Sequence, residues 1–414
     1  MSVPPIKFTF SSYEKFVVAL LAFLQFTIVL DFMILGPLGP FLLRDLQLST
    51  SQFSRVVSVY AWSAGASGLL AAGFADRFDR KRLLIFFYSG FLLGTLLCGV
   101  AWSYGVLLVA RIITGLFGGV IGSITMAIVA DLFPLQVRGR VMGTVQTAFA
   151  ASQVLGIPIG VALSNLWGWH APFLMIVAVS SLVGIVIVFC LRPIDAHLAL
   201  QSKASSFQHL LSTVRQTRYL RTFAATMLLA TGGFMLMPFG STFTVYNLGV
   251  DFEHLPLVFV ITGGVTFVAA PLLGRLSDSF GKYRTFCLGS LVGMVLVIVY
   301  CNLGRTPLAL VITLNTALFL AITTRMVSAT ALISGVPDGA DCGAFMAVNA
   351  SMQQLAGGVA ALFAGMIVSQ SSDGQLAHYD LLGYVVALAM TIVMALMYPI
   401  HRTVMLKAAR PATA

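Results

Sequence analysis

The chain has 414 residues, 58% of them hydrophobic and only 9% charged, and carries a net charge of +10. Its mean hydropathy is +0.96. A soluble fold cannot hide that much apolar surface behind so few charges, and the composition also excludes disorder, collagen, a coiled coil and a disulfide-stapled secreted domain. A polytopic membrane protein remains, and a membrane span needs about 20 mostly apolar residues. Twelve such runs follow in chain order: Phe16–Leu43, Phe53–Phe74, Leu83–Ala101, Gly105–Ala130, Val141–Leu163, Ala171–Leu191, Phe223–Tyr246, Leu255–Ser277, Thr285–Asn302, Pro307–Leu332, Gly343–Ser369 and Leu381–Ile400. The first carries Asp31 in its middle and lacks a small-residue cleavage site, so it reads as a retained span and not a signal peptide.

Only one connector is long. The expected organisation is therefore a six-helix bundle over residues 1–191, a cytoplasmic linker over 192–221 and a second six-helix bundle over 222–414. With the N-terminus in the cytoplasm, nineteen of the 24 Lys and Arg residues fall on inside connectors and tails. Three (Arg44, Arg55, Arg305) fall outside, and Arg111 and Arg325 lie within spans. That asymmetry predicts both termini on the cytoplasmic side of a plasma (inner) membrane. It also explains the basic charge without a nucleic-acid partner. The five cysteines (Cys98, Cys190, Cys287, Cys301, Cys342) are scattered through apolar runs with no CxxC spacing and read as core residues, so no metal site or disulfide is expected.

The two halves repeat at a shift of about 202 residues. Phe32-Met33 falls on Phe234-Met235, and the loop Gly73–Arg82 (GFADRFDRKR) falls on Arg275–Arg284 (RLSDSFGKYR), with Asp76 over Asp278. At a shift of 203, Pro134 falls on Pro337. An offset of six spans keeps both halves in one orientation, a parallel repeat suited to alternating access around a central cavity.

Twelve spans, a long central loop and two acidic-basic loops at matched positions resemble the major facilitator superfamily over nearly the whole chain. The family's loop motif G-x-L-A-D-R-x-G-R-R is met by Asp76, Arg77, Arg80 and Lys81, with Ala72 and Asp79 where glycines are usual. RIITGLFGG (Arg111–Gly119) resembles the R-x-x-x-G motif of proton-coupled members. LGIPIGVALSNLWGWHAPF (Leu155–Phe173) resembles the span-5 signature of the drug:proton antiporter branch, with Val161 replacing a Gly and His170 an Arg. The resemblance implies a proton-coupled exporter of small organic molecules, working without a cofactor beyond the proton gradient, as a monomer in the bilayer. It also implies that Asp76, Arg77, Arg80, Asp131 and Asp278 form an ion-pair lock between the bundles at their cytoplasmic ends that stabilises the outward-open state, with topogenesis by positive charge as the plainer alternative.

Asp31 is the one acid far from a span end, and an ionised carboxylate at that depth must be protonated or paired. It is expected to carry the transported proton; a structural Asp pinned by a permanent partner is the plainer alternative. Arg111 is expected beside it, against the alternative of a side chain reaching back to the membrane surface. The repeat places Gly233 opposite Asp31. Arg325, over Gly122 in the repeat, is expected to face the cavity or to pair with Asp31 across it. Gln146, Asn349 and Gln353, with Gln153 and Gln354, are candidate cavity-lining donors. Gly36, Pro37, Gly39 and Pro40 are expected to interrupt span 1, as Pro238 and Gly240 interrupt span 7. No HExxH, Walker motif or His/Cys cluster supports an enzyme or an ATP-driven pump. A receptor or scaffold is a weaker rival, and a proton-coupled importer of a small organic anion is the runner-up.

Overall fold

The computed structural model describes residues 10–74, 77–195, 198, 213–214, 216–337 and 342–409. Helix α1 (Ser12–Ile34) starts where Ser11 and Glu14 close a reciprocal capping box, each side chain accepting from the other's backbone N–H. It stops at Leu35–Leu38, where Gly36 and Pro37 stand, and a short α2 (Gly39–Asp45) completes the crossing. The expected interruption of span 1 is therefore present. The next crossings are α3 (Thr50–Phe74), α4 (Arg80–Gly99) and α5 (Tyr104–Leu132). The fifth is α6 (Leu135–Ala151) continued by α7 (Ile157–Trp167), and the sixth is α8 (Ala171–Cys190). In the second half come α9 (Thr217–Thr242), α10 (Leu255–Phe280), α11 (Lys282–Cys301), α12 (Leu308–Ile333), α13 (Cys342–Ile367) and α14 (Tyr379–Ala409). Eleven crossings are long and apolar enough to span a membrane by composition, and the 25-residue α3 is the twelfth. The fold is all-α, two six-helix bundles. Most of the expected linker over 192–221 lies outside the described residues.

Two crossings differ from expectation in where they bend. Span 7 is not interrupted at Pro238 and Gly240; α9 runs through both to Thr242 and then widens into a π turn at Phe243–Asn247, closed by Leu248 N–H on the Phe243 carbonyl. Span 5 holds a second π turn at Ser152–Gly156, closed by Ile157 N–H on the Ser152 carbonyl. Pro158 follows at once. Its missing N–H removes the next α-helical bond, and the wider turn absorbs the defect. A further unforeseen element is a two-stranded hairpin, β1 (Ser369–Gln370) with β2 (Leu376–Ala377), between α13 and α14.

Repeat counterparts meet where the halves join. Phe32 and Phe234, matched in sequence, lie ring to ring at 5.6 Å. A Cβ on Gly36 would lie 2.7 Å from the Met237 carbonyl, so only glycine lets these two backbones approach. Call the face at which α1 begins and α14 ends the near face and the opposite one the far face. From the far face inward, α3 packs antiparallel on α13: Thr50 Oγ1 donates to the Val368 carbonyl at 2.7 Å, Gly365 meets Ser54, Gly358 meets Trp62, and Gly65 meets Leu355. On the other side, Asn165 Nδ2 donates to the Phe252 carbonyl at 2.8 Å, and Gly263 lies against Val154. One buried apolar cluster fills this far half and draws on both bundles. In the near half the core divides. One cluster runs from Val17 to Ile194, another from Tyr219 to Ile400, and of the first bundle only Leu69 packs against the latter. The molecule is closed at the far face and open at the near face.

This closure rests on glycines, so bulk placed there should reverse it. A leucine at Gly365 or a valine at Gly358 overpacks the α3–α13 contact, at a cost of about 1–3 kcal/mol to this state alone. Spin-label distances should then show near-face separations shortening and far-face ones lengthening, with the population ratio moved roughly 5- to 150-fold. Unchanged distances in both variants would mean that the glycines do not set the closure.

Candidate functional site

Asp31 and Arg111 meet inside the first bundle. Arg111 Nη1 lies 2.9 Å from Asp31 Oδ2, with side-chain exposures of 1% and 0%. The same nitrogen donates to the Asp31 carbonyl at 3.3 Å, and Thr95 Oγ1, from α4, donates to Asp31 Oδ1 at 3.3 Å. The guanidinium carbon stands 4.3 Å from the centre of the Tyr60 ring on α3. Four helices thus supply the site: α1 the carboxylate, α5 the guanidinium, α4 a hydroxyl and α3 an aromatic face. Arg111 does not reach for the membrane surface, as the plainer alternative had it. One turn along α5, Gly115 packs against the Tyr60 carbonyl and Ser63, which brings α5 close enough for the cation to lie on the ring. Arg111 Nε has no partner, so the site is not fully satisfied.

The rings continue outward from the pair. Tyr60 stacks on Phe32 at 5.2 Å, Phe32 touches Phe234 of the second half at 5.6 Å, and Phe234 covers Gly357 of α13. The ion pair is therefore joined to the contact between bundles through three aromatic side chains. Sequence reasoning missed Thr95 and Tyr60. A hydroxyl amid the apolar run of α4 was a weak signal for the first, and nothing in the local pattern marks the second.

Arg325 does not pair with Asp31, which Arg111 already holds. It is 3% exposed, its Nε has no hydrogen-bond partner, and no acid among the described residues forms an ion pair with it. Asn349 is buried within the second bundle, accepting from Thr226 Oγ1 at 2.7 Å, and so does not line the open cavity as expected. Gln146 is exposed, Gln353 and Gln354 are half-buried, and Gln153 Nε2 lies 3.8 Å from the Met33 sulfur.

At the near face, Arg80 Nε donates to Asp131 Oδ2 at 3.0 Å. This joins α4 to α5 within one bundle, and Asp278 on α10 is exposed; the lock between bundles belongs to the outward-open state and is not tested by this one. Arg77 is exposed, and Asp76 lies outside the described residues. Among the described residues no three His, Cys, Asp or Glu side chains come together as a metal site.

The sequence profile of the Major Facilitator Superfamily matches residues 21–358. The chain is 27% identical over 272 residues to "Uncharacterized MFS-type transporter YceJ" of Bacillus subtilis (strain 168), covering 65% of this chain and 68% of the relative. It is 26% identical over 230 residues to "Probable sugar efflux transporter" of Mannheimia succiniciproducens, covering 56% and 57%, so the chain spans little more than half of that relative. Among solved structures, a bacterial homologue of the human lysosomal transporter Spinster, inward-facing and unoccupied, superposes with a TM-score of 0.79 at 16% identity, over 98% of this chain and all of that one. A D-xylose-proton symporter superposes with a TM-score of 0.72 at 16% identity, over 92% of this chain and 97% of that one.

Breaking a buried pair by removing one partner strands the other charge and typically costs about 3–5 kcal/mol. Arg111→Met should therefore lower the thermal unfolding midpoint of the purified protein sharply. The double variant Asp31→Asn/Arg111→Met should lose less than the sum of the single losses, because no charge is left behind. Additive losses would show that the two side chains act independently despite their 2.9 Å separation.

Proposed function

The chain belongs to the major facilitator superfamily of secondary transporters, whose family and fold are those of transporters and not of enzymes, and on that premise we propose that it is a proton-coupled antiporter exporting a small organic molecule across the plasma membrane. The near face is taken as cytoplasmic on the distribution of Lys and Arg, and the working unit as a monomer. The observation that carries the proposal is the Asp31–Arg111 pair, fully buried and net neutral.

A proton delivered to Asp31 removes the negative charge and leaves the guanidinium alone in a low-dielectric interior, a state costing several kcal/mol. The bundle escapes that cost by loosening the pair and admitting water, and the ring contacts from Tyr60 through Phe32 to Phe234 carry the change to the junction between bundles. Proton binding and the swing of the halves are then one event, which is what coupled transport requires. In the near-open state the carboxylate sits against Arg111, its proton already released, and the cavity is free to take substrate from the cytoplasm. Proton entry from the far side completes the cycle. The resemblance of span 5 to the exporter signature gives the direction. The unpaired Arg325 is the one observation favouring a second reading, import of an organic anion with a proton.

The test is reconstitution into proteoliposomes with an imposed pH gradient, an internal pH dye, and a panel of lipophilic cations, neutral drugs, sugars and organic anions. An antiporter moves protons opposite to its substrate, and a symporter moves them with it. Asp31→Asn, which cannot ionise, should lose gradient-driven transport by at least about tenfold while keeping substrate exchange without a gradient. Wild-type gradient-driven rates in that variant would remove Asp31 from the mechanism.

A further inference from the structure

We infer that Arg325 receives a carboxylate of the transported molecule, at the place in the second bundle where the repeat has lost its own acid. This rests on the transporter reading only in taking the ligand to be the molecule moved. In the first half, α1 supplies Asp31 and α5 supplies Arg111. In the second half the counterpart of α5, α12, supplies Arg325 from a position over Gly122 and not over Arg111, and the counterpart of Asp31 is Gly233. Gly232, beside it, is where the guanidinium arrives: a Cβ there would lie 3.6 Å from Arg325 Nη1. The second bundle thus brings a cation beside the position that the repeat sets over Asp31, and has glycine there.

The surroundings fit a ligand better than a structural role. Arg325 is the one buried Lys or Arg of the second half among the described residues, and none of their carboxylates compensates it. A buried cation with no counterion is costly, so the site gains from an anion brought in from outside. A Cβ at Gly233, the next position along α9, would meet nothing within 4 Å, so the helix borders open space there. A single positive charge matches a single negative one: a monocarboxylate is balanced, whereas a doubly charged phosphate would bury an excess charge. The side chain of Val386, close to the same position, gives the ligand's body an apolar wall. The class is therefore an aromatic or aliphatic monocarboxylate.

Thermal unfolding of the purified full chain in detergent, with no proton gradient, tests this whether or not the coupling scheme survives. The probes are formate, benzoate and octanoate, with benzamide and inorganic phosphate as controls. Benzoate or octanoate should raise the wild-type midpoint saturably, and benzamide should not. Arg325→Met should abolish that response, weakening apparent affinity by at least about tenfold, the loss of one charge-assisted pair. Arg325→Lys should keep part of it. Gly232→Asp restores the missing carboxylate, with Val386 yielding a few tenths of an ångström, and should make the protein indifferent to added carboxylates. This second variant carries the test if Arg325→Met does not fold. The proposal is overturned if no carboxylate shifts the wild type, if benzamide matches benzoate, or if the response survives in Arg325→Met or Gly232→Asp.

Discussion

A carboxylate and a guanidinium can lie within a bilayer only if each answers for the other, and much of the first bundle is arranged around that requirement. Asp31 comes from the far part of α1, just before the helix breaks at Gly36 and Pro37, and Arg111 from the second turn of α5. Neither reaches the other unless the intervening helices crowd in. Gly94 lets α4 press on Thr114 so closely that a Cβ there would lie 2.6 Å from its hydroxyl. Gly115 does the same between α5 and α3. The close packing that small residues permit in membranes here serves the geometry of one charge pair.

The two halves share a fold and differ in charge. Their counterparts Phe32 and Phe234 touch, and the far-half core draws equally on both, so a movement of one bundle is felt at once by the other. Yet the first half closes its ion pair internally, and the second leaves a cation that no acid among the described residues answers. A symmetric scaffold thus carries an asymmetric charge set: one half holds a buried ion pair, the other a buried cation that no acid among the described residues pairs with.

Much of this was legible in the sequence because a bilayer leaves few options. Length and hydropathy define the crossings, and the repeat at about 202 residues dictates two parallel bundles. Asp31 and Arg111 were readable as partners because buried charges in lipid are rare and need one another. The π turns escaped notice because a proline announces a defect without saying where the helix absorbs it: beside Pro158 in one case, a turn past Pro238 in the other. Tyr60 and Thr95 were invisible because their role depends on which helix faces which. The charges at the near face were read as a bridge between bundles in the outward-open state, and Arg80 stands here with Asp131 of its own bundle.

The far-half closure also shapes the electrical landscape of the membrane. Toward the far surface from Asp31 lie ring contacts such as Phe53–Phe239 and Phe41–Phe252 and backbone contacts at glycines, and Arg44 pairs with Asp45. Were water to fill the near half, that half would stand close to the potential of the solution it faces, and the membrane voltage would fall mainly across the sealed half. An elementary charge crossing the full membrane gains about 2.3 kcal/mol per 100 mV. A proton passing from the far solution to Asp31 would collect most of that energy over this short distance, so the seal acts as a dielectric lens that concentrates the field onto one carboxylate.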